Sequence, residues 1–377
     1  MDYEKYKRVL ILTGEVSGDM HGGYLLKHLK QLSPELKAFA IGSDHLKDAG
    51  AVIIKDITKK STIGFLETLK NIPMLYLLKN KLIKILKQQH IDLLLCIDFQ
   101  GFNTILAKKA KEMGIHVVYY IPPQEWVWGS EKGVKKITTI TDKIVTIFQE
   151  EYDAYKQYTK NVRFFGHPLT QIITDANVQV EQQKNTIAVF PGSRKQEITY
   201  CFPEMIKIMK ELHNTDNKKK FIINLPNTHY LATIQQKTQG MESYVTIRTG
   251  KTYETLAESE FALVTSGTIT LECLLMGTPH IVFYKFNPVS FLIINHYLRK
   301  KFKYDYYSLT NILSGKEIVP EYMQNFDTQS ICKKIIEILS DDKKVLLLKE
   351  NFQNIKTKLS SKNEENLLVE ISNYILS

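Results

Sequence analysis

The chain reads as two α/β domains, each a doubly wound parallel sheet of Rossmann-like type, facing one another across a cleft. Three observations predict this. Short, continuously apolar, β-branched runs recur along the sequence, too uniformly apolar for strands with one wet face. Helical patterns separate those runs, as crossovers between parallel strands require. The length, 377 residues, exceeds what one typical core accommodates, so two domains are expected.

Residues 8–12 form the first strand, 20–32 the first helix and 38–42 the second strand. Residues 64–89 read as one or two helices, because Pro73 lacks a donor and clashes with the preceding turn. A buried strand follows at 91–97, a helix at 104–113, and strands at 116–121, 144–148 and 162–165. The theme repeats with strands at 186–190, 220–225, 245–249, 261–264 and 280–284. Helices at 197–212, 253–259 and 269–276 lie between them. Polar residues replace the pattern between Gly166 and Lys184. The domains are therefore expected at 1–170 and 171–344, with the charged helical tail, 345–377, completing the first. Two such sheets in tandem put a ligand at the carboxyl ends of their strands.

Hydrophobic content of 44% and charged content of 24% are globular values. The apolar run at the N-terminus is too short, and its lead too acidic, for a signal peptide. No run approaches the roughly 18 apolar residues of a spanning helix. Cys96, Cys201, Cys273 and Cys332 are scattered, form no C-x-x-C and suit apolar positions in a reducing cytoplasm. The net charge of +10 fits either a solvated lysine surface or an anionic partner. No nucleic-acid-reading motif is present, which leaves anionic membrane and phosphorylated substrates.

Two stretches carry the most chemistry: Val189-Phe-Pro-Gly-Ser-Arg-Lys-Gln-Glu197 and Thr265-Ser-Gly-Thr-Ile-Thr-Leu-Glu272. Each leads from an apolar strand into a helix through a turn rich in small residues. Gly192 and Ser193, and likewise Ser266, Gly267 and Thr268, can present backbone N–H groups and a helix N-terminus to an anion. Arg194 adds a fixed cation. Two such turns suggest a diphosphate site of nucleotide-sugar type, since neither G-x-x-x-x-G-K-[ST] nor a G-x-G-x-x-G after the first strand occurs.

In the first half, Gly14-Glu-Val-Ser-Gly-Asp19 joins the first strand to the first helix. Gly14 and Gly18 permit close backbone approach to a ligand. Ser17 and Asp19 fit either substrate contacts or helix caps. Glu15 has little use as a cap. Asp98 follows the apolar run Leu93-Leu-Leu-Cys-Ile97, so it is either a partly desolvated general base toward a hydroxyl or a structural cap. Asn103 reads as a cap or turn residue. The loop Gln124-Glu-Trp-Val-Trp128 is a rigid cleft wall or a core plug. No D-x-D and no His/Cys/Asp cluster with ligand spacing is present, so no metal and no cofactor are expected.

Taken in order, these motifs resemble those of the lipid-A-disaccharide synthase family. They are the Gly14–Asp19 turn, Ile97-Asp98, Gln124–Trp128, Gly166-His-Pro168, Pro191-Gly-Ser-Arg194, Ser266-Gly-Thr268 with Glu272, and Asn311-Ile-Leu-Ser-Gly-Lys-Glu317. The resemblance implies the GT-B fold and an inverting glycosyltransferase. It implies UDP-2,3-diacylglucosamine as donor, 2,3-diacylglucosamine 1-phosphate as acceptor, and work at the inner face of the cytoplasmic membrane. It implies Asp98 as the base and Arg194 on the departing diphosphate, with Glu15 as a further catalytic candidate. Glu272 would hold the ribose, and Trp126, Asn311 and Glu317 would face the cleft. His167 matches the family too and also suits a hinge. The chain departs from the family pattern at Gln100, Gly101, Glu125, Gly129 and Thr310, mostly in the first half.

Around Pro73, Phe65, Leu66, Leu69, Met74, Leu75 and Leu78 precede a run of lysines, which suits either acyl chains at an anionic membrane or a core-facing helix. A second such stretch is Phe291-Leu-Ile-Ile294 near Arg299-Lys-Lys301. A nucleotide-sugar 2-epimerase and a non-catalytic UDP-sugar or lipid binder are the competing readings. A homodimer is compatible with the helical tail.

Overall fold

The computed structural model describes residues 5–57, 65–128, 130–287, 291, 304–360 and 366–377, with backbone alone for 65–72 and 128. The first domain holds seven strands: β1 (Arg8–Leu12), β2 (Lys37–Ile41), β3 (Val52–Lys55), β4 (Leu93–Ile97), β5 (His116–Tyr120), β6 (Lys143–Thr146) and β7 (Val162–Phe164). They pair in the order β3-β2-β1-β4-β5-β6-β7, with every pairing parallel. The second domain holds β8 (Gln183–Phe190), β9 (Lys220–Leu225), β10 (Val245–Thr249), β11 (Ser259–Thr265), β12 (His280–Tyr284) and β13 (Glu321–Met323). Their order is β10-β9-β8-β11-β12-β13, again parallel throughout.

The apolar strands are explained by cover on both faces. Val9 and Ile11 of β1 and Leu93, Leu95 and Ile97 of β4 enter one core cluster, while Leu10, Leu12, Leu94 and Cys96 enter the other. Chain order reverses between β1 and β4 and between β8 and β11, so the turns after these four strands open onto the crevice where such sheets bind ligands.

Two edge strands lie outside the strands expected from the sequence. Val52–Lys55 and Glu321–Met323 are short and half exposed, so neither stands out as a fully buried strand. The helix expected over 197–212 is two, Lys195–Tyr200 and Phe202–Thr215. Pro203 lacks the N–H that would continue the ladder and sits in the first turn of the second. A single helix, Phe65–Gln88, runs through Pro73.

The tail divides, which corrects the expectation that all of 345–377 serves the first domain. In Asp342–Leu359 the buried stripe Leu348, Phe352, Ile355 and Leu359 packs toward the Thr268–Met276 helix, with Phe352 stacked on His280 at 5.4 Å. Among the described residues of the tail, Leu367–Leu376 is the helix that returns, lying against the Val16–Leu32 helix. At the junction, the His167 N–H donates to the Leu359 carbonyl at 2.8 Å, and the Leu368 N–H donates to Gln171 Oε1 at 2.8 Å.

Candidate active site

The turns after β1, β4, β8 and β11 enclose a cleft of about 1160 Å³. Glu15, Ser17 and Asp98 line it from the first domain; Gly192, Ser193, Arg194, Ser266, Gly267, Thr268 and Glu272 line it from the second.

Glu15 starts the Val16–Leu32 helix but makes no side-chain cap. Its carboxylate instead accepts from Arg194 Nη2, across the cleft. The other guanidinium nitrogen donates to Glu197 Oε1 at 3.1 Å. Glu197 Oε2 in turn accepts the N–H groups of Ser193 at 2.8 Å and Arg194 at 3.0 Å. Of the amides expected to face an anion in this turn, that of Ser193 is therefore engaged, because Glu197 lies three residues beyond Arg194, where a carboxylate reaches back to cap its helix. The cation in this turn is the Arg194 side chain. Its burial works against the charge, and the carboxylates of Glu15 and Glu197 more than offset that. Gly192 has φ +101°, and a Cβ there would lie 2.1 Å from Glu197 Oε2, so only glycine lets the turn fold over that carboxylate.

Asp98 is partly exposed to the cleft, at the end of fully buried β4. Burial first, then the Glu15 carboxylate, pushes its carboxyl up to about 6, against the Phe99 N–H and Arg194. Both Asp98 and Phe99 have left-handed backbone, φ 46° and 50°. In the second domain Glu272 sits one turn into the Thr268–Met276 helix, and burial pushes its carboxyl up to about 7 despite Tyr253 beside it. Ser266 spends its N–H on the Phe283 carbonyl and its hydroxyl on the Tyr307 carbonyl. That leaves Gly267 and the helix start beyond it to meet an anion.

Several expected site residues lie outside this lining. Asp19 is buried and accepts the N–H groups of Ser43 at 2.6 Å and His45 at 3.0 Å, fastening the turn after β2. Gly14 and Gly18 are buried behind the cleft; the close approach at Gly14 is to the Phe99 ring, not to open space. Trp126 is a buried plug between Phe148 and Tyr304, each 5.7 Å away between ring centroids. Asn311 is fully buried and knots a loop through the Val319 carbonyl, the Ile318 and Val319 N–H groups and Glu321. Glu317 is exposed; Glu321 is the residue that binds Asn311. His167 is buried against Phe148 and His21.

Of the apolar set near Pro73, Leu78 is core, and Met74 and Leu75 pack against that core, which assigns them to the fold. Among the described side chains of this helix, the exposed large apolar residues are Tyr76 and Leu77. The side chains of Phe65, Leu66, Leu69 and Trp128, together with Gly129 and the stretch 292–303, lie outside the described residues. Two of the residues that depart from the family pattern are partners: Gln100 Nε2 donates to the buried carboxylate of Glu125. Among the described residues no three His, Cys, Asp or Glu side chains gather as a metal site would need, and no helix is long and apolar enough to cross a membrane. All four cysteines are free and buried.

The fold is that of the GT-B glycosyltransferases and the nucleotide-sugar epimerases built like them. A Staphylococcus aureus MnaA–UDP co-structure superposes with a TM-score of 0.66 at 11% identity, covering 98% of this chain and 96% of the other. A UDP-GlcNAc 2-epimerase from Neisseria meningitidis bound to UDP-GlcNAc superposes at 0.62 with 13% identity, covering 97% and 99%. At such identities these neighbours establish the fold alone. The sequence separates the members. The family model of lipid-A-disaccharide synthetase matches residues 9–371. The lipid-A-disaccharide synthase of Geobacter metallireducens is 30% identical over 364 residues, 94% of each chain. That of Syntrophus aciditrophicus is 32% identical, also over 94% of each. The chain belongs to the lipid-A-disaccharide synthetase family, and it is a glycosyltransferase of lipid A disaccharide synthesis.

Proposed function

We propose that the cleft moves 2,3-diacylglucosamine from its UDP derivative to the 6-hydroxyl of 2,3-diacylglucosamine 1-phosphate, with inversion and without a metal. The observation that supports this best is the placement of Asp98 and Arg194 on opposite walls, with Glu15 paired to Arg194 and its charge acting on Asp98. Asp98 takes the proton of the acceptor hydroxyl as its oxygen bonds to the sugar's anomeric carbon. The bond from that carbon to the diphosphate breaks, and its electron pair leaves with UDP. Arg194 neutralises the charge that grows on the diphosphate, aided by the Gly267 turn and its helix. The base works best with a pKa near the working pH, and burial moves Asp98 in that direction. Glu272, as a carboxylate, accepts from the ribose hydroxyls.

The acyl chains and the net positive surface suit attachment to the inner, anionic face of the cytoplasmic membrane, with Tyr76 and Leu77 beside lysines as one contact. Mass spectrometry of both substrates incubated with the protein in detergent, with and without EDTA, tests the reading. Disaccharide 1-phosphate and UDP should appear in equal amounts, and EDTA should change neither. A rearranged UDP-sugar with no free UDP would instead indicate an epimerase. Loss of turnover with EDTA would overturn the metal-free part.

A further inference from the structure

The two first-domain turns that carry Glu15 and Asp98 are tied together by one side chain. Asn103, fully buried in the Gln100–Glu112 helix, donates through Nδ2 to the Asp98 carbonyl at 2.8 Å and reaches the Leu12 and Ile97 carbonyls at 3.2 Å each. Leu12 ends β1 and Ile97 ends β4. The amide therefore spans the strand ends where the sheet order reverses. Turned over, it would set its oxygen against three carbonyl oxygens, so only the donating orientation fits.

A second donor reaches the same place. The Tyr119 hydroxyl donates to the Asp98 carbonyl at 2.8 Å. Left-handed backbone at two successive non-glycine residues, Asp98 and Phe99, persists only where the surroundings hold it. The turns also interlock sterically: a Cβ on Gly14 would lie 2.3 Å from the Phe99 ring.

We infer that Asn103 is a positioning residue, which with Tyr119 holds Asp98 in its left-handed turn and fixes its distance from Glu15. This rests on the reading of Asp98 as the base. A purely structural asparagine would move stability and nothing else.

The groups around Asp98 are Glu15, Arg194, Tyr119 and Glu151. Releasing the turn takes Asp98 away from Glu15, whose charge raises its pKa, so the acid limb of the rate profile should move to lower pH. The test compares Asn103→Ala, Tyr119→Phe and Asp98→Asn in the disaccharide assay, with UDP affinity measured by calorimetry. Asn103→Ala should keep UDP affinity and KM within about threefold and lose about 100-fold in kcat, the scale of a misplaced catalytic group, with its acid limb lowered. Tyr119→Phe, which keeps Asn103, should show a smaller loss of the same kind and serves if Asn103→Ala fails to fold. Wild-type kcat with an unmoved limb in either folded variant, beside an inactive Asp98→Asn, overturns the inference alone. An equal loss of kcat and UDP affinity with an unmoved limb overturns it as well. An active Asp98→Asn removes the base reading and this inference with it.

Discussion

Glu15, at the end of β1, and Arg194, at the end of β8, form an ion pair across the cleft, so the cation assigned to the leaving diphosphate already holds a carboxylate beside the assigned base. The side chains are 29% and 15% exposed, so the pair is only partly screened. A diphosphate entering the cleft competes with Glu15 for Arg194.

Removing the cation should act on both sides of the site. Arg194→Ala should lower kcat/KM by about 100–1000-fold, the range for losing one transition-state charge stabiliser. It also deletes the cation that lowers the Asp98 pKa, so the acid limb should move to higher pH. Initial rates across the pH range for both proteins check the two effects together.

The wild-type pH profile follows from Asp98. The base acts deprotonated, and its carboxyl is pushed up to about 6. Activity should be level above that pH and fall as pH drops through it. Asp98→Asn should lose the limb and about 10²–10⁴-fold in rate. Rates at saturating donor, with UDP affinity unchanged, are the check.

Glu272 sets function against stability. Its folded pKa, about 7, lies above the ordinary 4.5, so folding favours the protonated acid. That contribution is complete below 4.5 and is lost as pH rises through 7. Glu272→Gln, neutral at every pH, should raise Tm above pH 7 while weakening UDP binding about tenfold, the scale of a lost hydrogen bond to a charged group. Calorimetric melting and UDP titration of the same variant measure both.

The tail helix makes a stability prediction. Ile371 is fully buried in Leu367–Leu376, which rests on the Val16–Leu32 helix behind Glu15. Ile371→Ala should destabilise the first domain by about 2–5 kcal/mol through the cavity it leaves. Urea unfolding of the variant, followed with and without UDP, separates this loss from any change in the second domain.

Much of this architecture was legible because parallel strands covered on both faces must be apolar throughout, as Leu93-Leu-Leu-Cys-Ile97 is. The turns after such strands are where chemistry collects, which is why Glu15, Asp98 and Arg194 could be singled out by position, and all three line the cleft; Glu272 is singled out through the family resemblance. What stayed illegible depends on pairing at a distance. Nothing near Gln100 announces Glu125, and nothing near Asn311 announces Glu321. Asp19 and Asn311 sit in motifs beside the cleft yet turn inward, because a buried backbone turn needs its donors and acceptors satisfied. Asn103 looked like a cap, and its contact with β1 lies 91 residues away in the chain. The edge strands β3 and β13 are too short and too exposed to mark themselves as the buried strands do.

The most direct test of the account is single-turnover disaccharide formation by wild type and Asp98→Asn, both saturated with UDP-2,3-diacylglucosamine and acceptor, followed by mass spectrometry. The account predicts β-linked disaccharide 1-phosphate and one UDP per sugar transferred by wild type, and a rate lower by at least about 100-fold in the variant with donor still bound. Equal rates in the two proteins, or UDP release without disaccharide, would contradict it.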